Sequence, residues 1–466
     1  MGQTYKIGSY EKTALMWAAE SGHVYAVRCL IEDHNAEVNT RDSDGWTALM
    51  YAAANGRTET VRSLISYGAN VEASNDFGVT SLMWAASAAL TEIVDMLIRN
   101  GHAYVDASDR RGATALTRAA TNGNLETACS LIVRHRANMQ CIRPEHREIL
   151  IRNSAEHGYT EAVIALVDAF HFYVDSSNED GETILMQAAK NGHTATVDAL
   201  RYRQIACVDK EDISGKTALI WAAKNGHTAT VTSLIQNHCA NVNEKDNFDR
   251  TPLMFASQNG YIDTMNALIL AHDANVEAED HVGKRALMLA AQVGHTGIVD
   301  ALITDHGADI EAADDGGWTA LFWAAEGGHI ETIDVLIGTY RANIQAADYD
   351  GKTVLMRAAE EGHDAVVRNL IQRHGANVES RDNDGCTALM LAAENGHAST
   401  MRQLINDHGA NVNAVDDNGW TAMTHAAENG HNYREMMLDD YTLRRLLMMR
   451  RRQGRHFGIP EDMHDD

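Results

Sequence analysis

At 466 residues the chain exceeds one ordinary globular core, so it holds either several domains or one repetitive array. Three prolines, 6% aromatic residues and 45% hydrophobic content favour helices over strands. A net charge of −26 repels phosphate backbones and anionic lipid, which sets nucleic acid aside as a ligand. The six cysteines, Cys29, Cys129, Cys141, Cys207, Cys239 and Cys386, form no CxxC pair, so they read as reduced structural thiols.

Residues 1–12 read as an N-terminal extension or cap without an apolar signal stretch, and no run of about twenty apolar residues follows. The expectation is a cytoplasmic protein that does not span a membrane. Met1-Gly2 resembles a myristoylation start, but Lys6 stands where that motif needs Ser or Thr.

From residue 13 a tetrapeptide recurs. Thr13-Ala14-Leu15-Met16 returns at Thr47, Thr80, Thr114, Thr183, Thr217, Thr251, Arg285, Thr319, Thr353, Thr387 and Thr421, with a decayed copy at Glu148. The steps are 34 residues except for one of 33 and one of 35, which makes thirteen units. A leucine column in the same phase, from Leu30 and Leu64 through Leu404 and Leu438, supports the period independently.

Residues 382 to 413 show one unit. Asp382-Asn383-Asp384-Gly385 is a turn, Thr387 caps a short helix carrying Ala392 and Ala393, and Gly396 ends it. A second helix places Met401, Leu404 and Ile405 on one stripe, and Gly409 closes it. Helices of about eight residues do not persist alone in water, so the units must stack. In the 34-residue units the extra residue falls after the Leu-Ile pair, which predicts a slightly longer second helix.

Residues 13–135 form repeats 1–4. Residues 136–178 lose the turn, Cys141, Arg143 and Pro144 standing in its place, while Leu150, Gly158 and Leu166 keep the phase. Repeat 5 is therefore either a soft joint or a decayed, fully stacked unit. Residues 179–430 form repeats 6–13. Residues 431–456 read as a basic capping helix, with Leu443, Leu446 and Leu447 beside Arg444, Arg445 and Arg450. The alternative for that helix is contact with acidic lipid, a partner or nucleic acid. Residues 457–466 read as an acidic, disordered tail.

The pattern DxxGxTALMxAAxxGHxxxVxxLIxxHGANVN resembles the ankyrin repeat. The resemblance implies an all-α solenoid of about thirteen stacked helix-turn-helix units joined by short β-turns or hairpins, working as a protein-interaction scaffold. Met16, Met50, Met83, Met186, Met254, Met288, Met356 and Met390 stand where that family usually has His, which suggests an apolar contact there. This Met-for-His variant resembles the ankyrin-only proteins of diplomonad parasites such as Giardia.

Twenty-three histidines invite a metal reading. Eight follow the Gly that ends the first helix, from His23 to His431, and seven fall near the end of the second, from His34 to His408. Equivalent residues one layer apart are too widely spaced for ligand bonds of about 2 Å, so the ladders are structural. Gly215-Lys216-Thr217 and Gly351-Lys352-Thr353 look like P-loop ends, but the earlier Gly is replaced by Lys210 and Ala346. No catalytic motif is found, so no enzyme activity, cofactor or metal is expected.

The letters that vary between repeats are the ones the fold does not dictate. The ankyrin resemblance places turn tips and first-helix faces on the concave surface, giving candidate partner-binding residues Trp46, Phe77, Arg110, Arg111, Phe248, Trp318, Tyr349 and Trp420. The alternative is that each folds over its neighbouring turn. A second variable column directly after the tetrapeptide, including Trp17, Tyr51, Trp84, Arg118, Trp323, Arg357 and His425, is framework or groove edge. The expected partners are proteins, with basic surfaces favoured by the acidic chain, bound to a monomer. A mechanical or cytoskeletal spacer is the rival reading.

Overall fold

The computed structural model describes residues 12–170, 176–202, 207–270 and 273–431. The expected N-terminal extension before Lys12, the basic helix beyond His431 and the acidic tail lie outside the described residues. Among the described residues there are twenty-five α-helices, twelve A/B pairs followed by the A helix of repeat 13. The β pairing recorded among them is two isolated bridges, Ser74 with Thr80 and Ala347 with Thr353. The fold is an all-α repeat solenoid, as the period predicts.

Eleven of the thirteen A helices begin at a threonine in extended conformation, and Arg143 and Arg285 take that place in the other two. In helix Ala14–Ser21, the Thr13 hydroxyl accepts from the Met16 amide at 3.3 Å. The methionine returns the bond: the Thr13 amide donates to Met16 Sδ at 3.4 Å, and Thr183, Thr251, Thr353 and Thr387 do the same to Met186, Met254, Met356 and Met390. The expected apolar contact is therefore corrected. The thioether is buried, but it also accepts from the cap's amide, which water cannot reach.

The nine-residue B helices include Thr58–Ser66 and Asp364–Gln372. The first belongs to a 33-residue step and the second to a 34-residue step, so the expected lengthening of the helix does not occur. The added residue widens the turn that follows, and in Arg373-His374-Gly375 it brings in a histidine. His374 Nε2 lies 2.7 Å from Asp334 of the preceding B helix, and His135 and His238 reach Asp95 and Asp198 in the same way. The other histidine ladder ties A helices: His193, His295, His329 and His431 lie 2.8–3.1 Å from carbonyls of Glu156, Gln258, Gln292 and Glu394.

The chain divides into two compact units. The first runs to Ile213 and takes in Gln236–Ala240; the second holds Ser214–Ile235 and the chain from Asn241 onward. Within each, A helices pack on A helices and B helices on B helices. Paired alanines such as Ala52, Ala53, Ala85 and Ala86 are wholly buried in the first unit, and Ala324, Ala325, Ala358 and Ala359 in the second. The column leucines, among them Leu64, Leu97, Leu336, Leu370 and Leu404, are wholly buried too, each contributing about 1.5–3 kcal/mol.

Repeat 5 departs from its neighbours at its start. Its A helix is Pro144–Glu156, thirteen residues long with Pro at the first position, preceded by a 3₁₀ turn at Met139–Cys141. The helix thus begins before the tetrapeptide copy at Glu148 and occupies the chain that elsewhere makes the turn. Its Leu150, Ile151 and Ala155 are buried, and both helices of the repeat touch those of repeats 4 and 6.

Candidate binding surface

Where the turn before an A helix is kept, it is organised by one side-chain carbonyl or carboxylate oxygen, from an Asp in most repeats and from Asn75 and Asn178 in repeats 3 and 6. Asp314 Oδ1 accepts the amides of Gly316 and Trp318, each at 2.9 Å, which fixes the loop. Its Oδ2 accepts Nε1 of Trp323 at 3.0 Å, nine residues on in the A helix. The same oxygen takes Tyr51 Oη at Asp42 (2.7 Å), Arg118 at Asp109 (2.6 Å) and Arg357 at Asp348 (2.8 Å). At Asp416 it lies 3.1 Å from His425 Nε2. At Tyr51, Arg118, Trp323, Arg357 and His425 the second variable column is thus framework, the side chain completing the hydrogen bonding of its own turn. Burial works against the Asp109 carboxylate but is outweighed by the Ala113 amide and Arg118, so its pKa is lowered. Asp382 has only Leu391 nine residues on, and there burial pushes the carboxyl up.

Successive turns are joined by one backbone bond each. In the first unit Asp76 donates to the Asp44 carbonyl and Arg110 to that of Phe77, at 3.0 and 3.1 Å. In the second unit His281 donates to Phe248, Asp315 to Val282, Tyr349 to Gly316 and Asp417 to Asp384, at 3.0–3.2 Å. Repeat 5 has no such turn, so the series in the first unit is interrupted after Arg110 and resumes where Ile213 donates to the Asp180 carbonyl at 3.1 Å.

The eight candidate residues fall into two classes. Phe77, Arg110, Arg111, Phe248 and Tyr349 sit on the tips and are exposed, the three aromatics by 68, 48 and 72%. Trp46, Trp318 and Trp420 follow the turn glycine and lean toward the A helices. Trp46 packs 4.9 Å from the Tyr51 ring and 4.8 Å from Trp84. Trp318 lies 4.6 Å from Trp323, holds Arg357 over its face at 4.3 Å and donates Nε1 to Asp348 at 3.1 Å. For Trp46 and Trp318 the folding-over alternative describes the geometry; Trp420 packs edge-on against His425 and stays 40% exposed.

The post-glycine column also carries cations that the sequence reading passed over. Lys12 Nζ stands 4.0 Å from the Tyr51 ring and Lys284 Nζ 3.4 Å from that of Trp323. Burial lowers the Lys284 pKa, against the pull of Asp280, Glu326 and Asp314. Between repeats 8 and 9 these elements make a cleft of about 250 Å³ lined by Phe248, Arg250, Asp280, His281, Val282, Lys284 and Leu289. The Phe248 and His281 rings are 5.3 Å apart at its mouth, and Arg250 lies over Phe255 at 4.5 Å. A larger cleft of about 400 Å³ lies away from the tips, against the B helices of repeats 3 to 5. Cys129 on its wall is pushed up to about 11 by burial, an inert thiol.

The family model for ankyrin repeats in three copies matches residues 2–75, 67–141, 118–212, 203–280, 259–348, 287–382 and 355–444. The chain belongs to the ankyrin-repeat family. It is similar to ankyrin repeat domain-containing protein 49 of Bos taurus, 46% identical over 59 residues, which are 13% of this chain and 25% of that one. Ankyrin repeat and SAM domain-containing protein 6 of Mus musculus is 47% identical over 60 residues, 13% of this chain and 7% of that one. Protein phosphatase 1 regulatory subunit 27 of Mus musculus is 40% identical over 63 residues, 14% and 40% of the two chains. The chain thus matches less than half the length of each of these relatives.

Among the described residues no helix is long and apolar enough to cross a membrane.

Proposed function

We propose that this ankyrin solenoid is a non-enzymatic scaffold, a cytoplasmic monomer that holds partner proteins across its turn tips. The observation that carries the reading is the cleft between repeats 8 and 9, where exposed Phe248 meets Arg250, His281 and Lys284 around an apolar floor. Water-exposed aromatics beside a concavity with paired cations are what a partner's anchor side chains bury. Ankyrin repeats as a family bind other proteins, and one relative is named as a regulatory subunit, a protein that acts through another. The Met-for-His tetrapeptide keeps the diplomonad resemblance as our reading of kinship. The chain's acidity, with Asp44, Asp76, Asp180, Asp249 and Asp350 on the turns, favours basic segments around the anchors.

The test is proximity labelling and pull-down with the full chain, then affinities of purified partners for Phe248→Ala and Tyr349→Ala. Each is expected to lose about 2 kcal/mol, some thirtyfold in Kd, while Tyr25→Ala on a B helix is silent. Unchanged affinity of every partner for both tip variants would favour the spacer and sink the scaffold reading. Trp318 is unsuitable for this purpose, because removing it also strips a donor from Asp348.

A further inference from the structure

The geometry points to a zinc-class divalent cation site formed by Cys386, Asp416 and His425, between the turns of repeats 12 and 13 and the last A helix. Among the described residues this is the one cluster in which three or more such donors converge: all three side chains are buried, and their ligand atoms lie within 4.8 Å of one another. Cys386 Sγ is 3.9 Å from His425 Nε2, which is 3.1 Å from Asp416 Oδ2. A tetrahedral ion with bonds of about 2.3 Å to sulfur and about 2.0 Å to nitrogen and oxygen holds its donors about 3.3–3.6 Å apart, so binding opens the His425–Asp416 pair slightly and draws the Cys386 sulfur inward by up to about 1.3 Å. Thiolate, imidazole and carboxylate together suit zinc better than magnesium or calcium, which take oxygen.

Three features separate this cluster from the histidine ladders. His425 belongs to neither ladder. Asp416 is already oriented, since Oδ1 accepts the amides of Asn418 and Trp420 at 2.9 and 2.7 Å and leaves Oδ2 for the ion. The turn does not require Cys386, because its position is Trp46, Arg250, Lys284, Trp318 or Lys352 elsewhere. His425 Nδ1 lies 3.8 Å from Glu394 Oε2, an ion-pair distance, so a carboxylate stands beside the ring nitrogen that keeps its proton when Nε2 binds the ion. With Asp382 and Asp384 also close to the thiol, the surroundings are negative and favour a cation. Binding displaces the thiol proton to solvent and leaves the fourth position for water or a partner's side chain.

The test is titration of the chelator-treated, reduced full chain with Co²⁺ alone, followed by displacement with Zn²⁺. The expected result is one equivalent bound, with thiolate-to-cobalt charge-transfer absorption and the strong visible bands of a tetrahedral ion. Cys386→Ser is expected to abolish the charge-transfer band and Cys239→Ser to keep it. His425→Gln, which keeps a donor for Asp416, is expected to weaken binding by at least about tenfold, and Glu394→Gln by about tenfold. No charge-transfer absorption in the parent chain, its survival in folded Cys386→Ser, or its loss in Cys239→Ser overturns the site. If Cys386→Ser fails to fold, His425→Gln decides, and unchanged affinity there overturns it equally.

Discussion

A buried carboxylate at the turn and a donor nine residues on form the smallest recurring device of this molecule, and repeat 3 keeps the donor but loses the carboxylate. At position 75 the turn residue is Asn, so the site that Asp314 fills with an oxygen holds an amide NH₂, with Trp84 as the donor nine residues on. Asn75 Nδ2 and Trp84 Nε1 are both buried without a partner. Asn75→Asp is expected to raise the denaturation midpoint, by about 1 kcal/mol, because the new oxygen accepts Nε1. Trp84→Phe is expected to be near neutral in that respect, whereas Trp323→Phe costs about 1–3 kcal/mol by stranding Asp314. A lower midpoint for Asn75→Asp would contradict the pairing. The turn residues were legible in the sequence as DxxG; the pairing was not, because it depends on the helix register bringing position nine back over the turn. The methionines taught a similar lesson: their burial could be read, their bond to the cap amide could not.

The B-helix carboxylates set the response to acid. Burial works against Asp95 and Asp334, but hydrogen bonds from His135 and Ser130 to the first, and from His374 and Asn369 to the second, lower both pKa values. A carboxylate with a lowered folded pKa contributes stability that is complete above its unfolded value, about 3.9, and is lost as pH falls through the folded value. Urea midpoints are therefore expected to fall below about pH 4, and less steeply in Asp95→Asn and Asp334→Asn. Parallel pH profiles would refute this.

At the scale of the element, the A helix ends where a glycine leaves room for the next repeat. Gly362 has φ of 74°, and a Cβ there would sit 2.5 Å from His397 Nδ1. Gly362→Ala is expected to cost about 1–3 kcal/mol from backbone strain together with displacement of the histidine, read as a lower thermal midpoint. The loss of the turn in repeat 5 was plain in the sequence, but its replacement was not recognised, although Pro144 followed by Glu145 is a helix-start signal. Because Leu150, Ile151 and Ala155 are buried, hydrogen exchange is expected to be slow over residues 150–156 and faster over the exposed start of the helix at 143–146. Fast exchange throughout residues 136–156 would instead favour the joint.

For the whole molecule, the thirty-four-residue period and the leucine column specified repeat number and fold class, because each copy repeats the same burial demand. The surface was less legible: sequence variability marks the positions released from the fold, but it cannot tell an exposed tip such as Tyr349 from an inward-leaning Trp318. With a net charge of −26, association with a basic partner is expected to slow steeply with added salt while dissociation changes little, measurable by stopped flow. A salt-independent on-rate would remove charge from the recognition.

Since one main-chain bond ties each turn to the next along the series, an incoming peptide meets there short linked turns and not the long strand edge of a PDZ-type sheet. On the proposed reading, a partner docking there is recognised chiefly through side chains, which project from positions that the architecture leaves unconstrained. On that reading, exchanging a single residue at a tip such as Tyr349 is expected to change which partner is held while the framework beneath it stays intact.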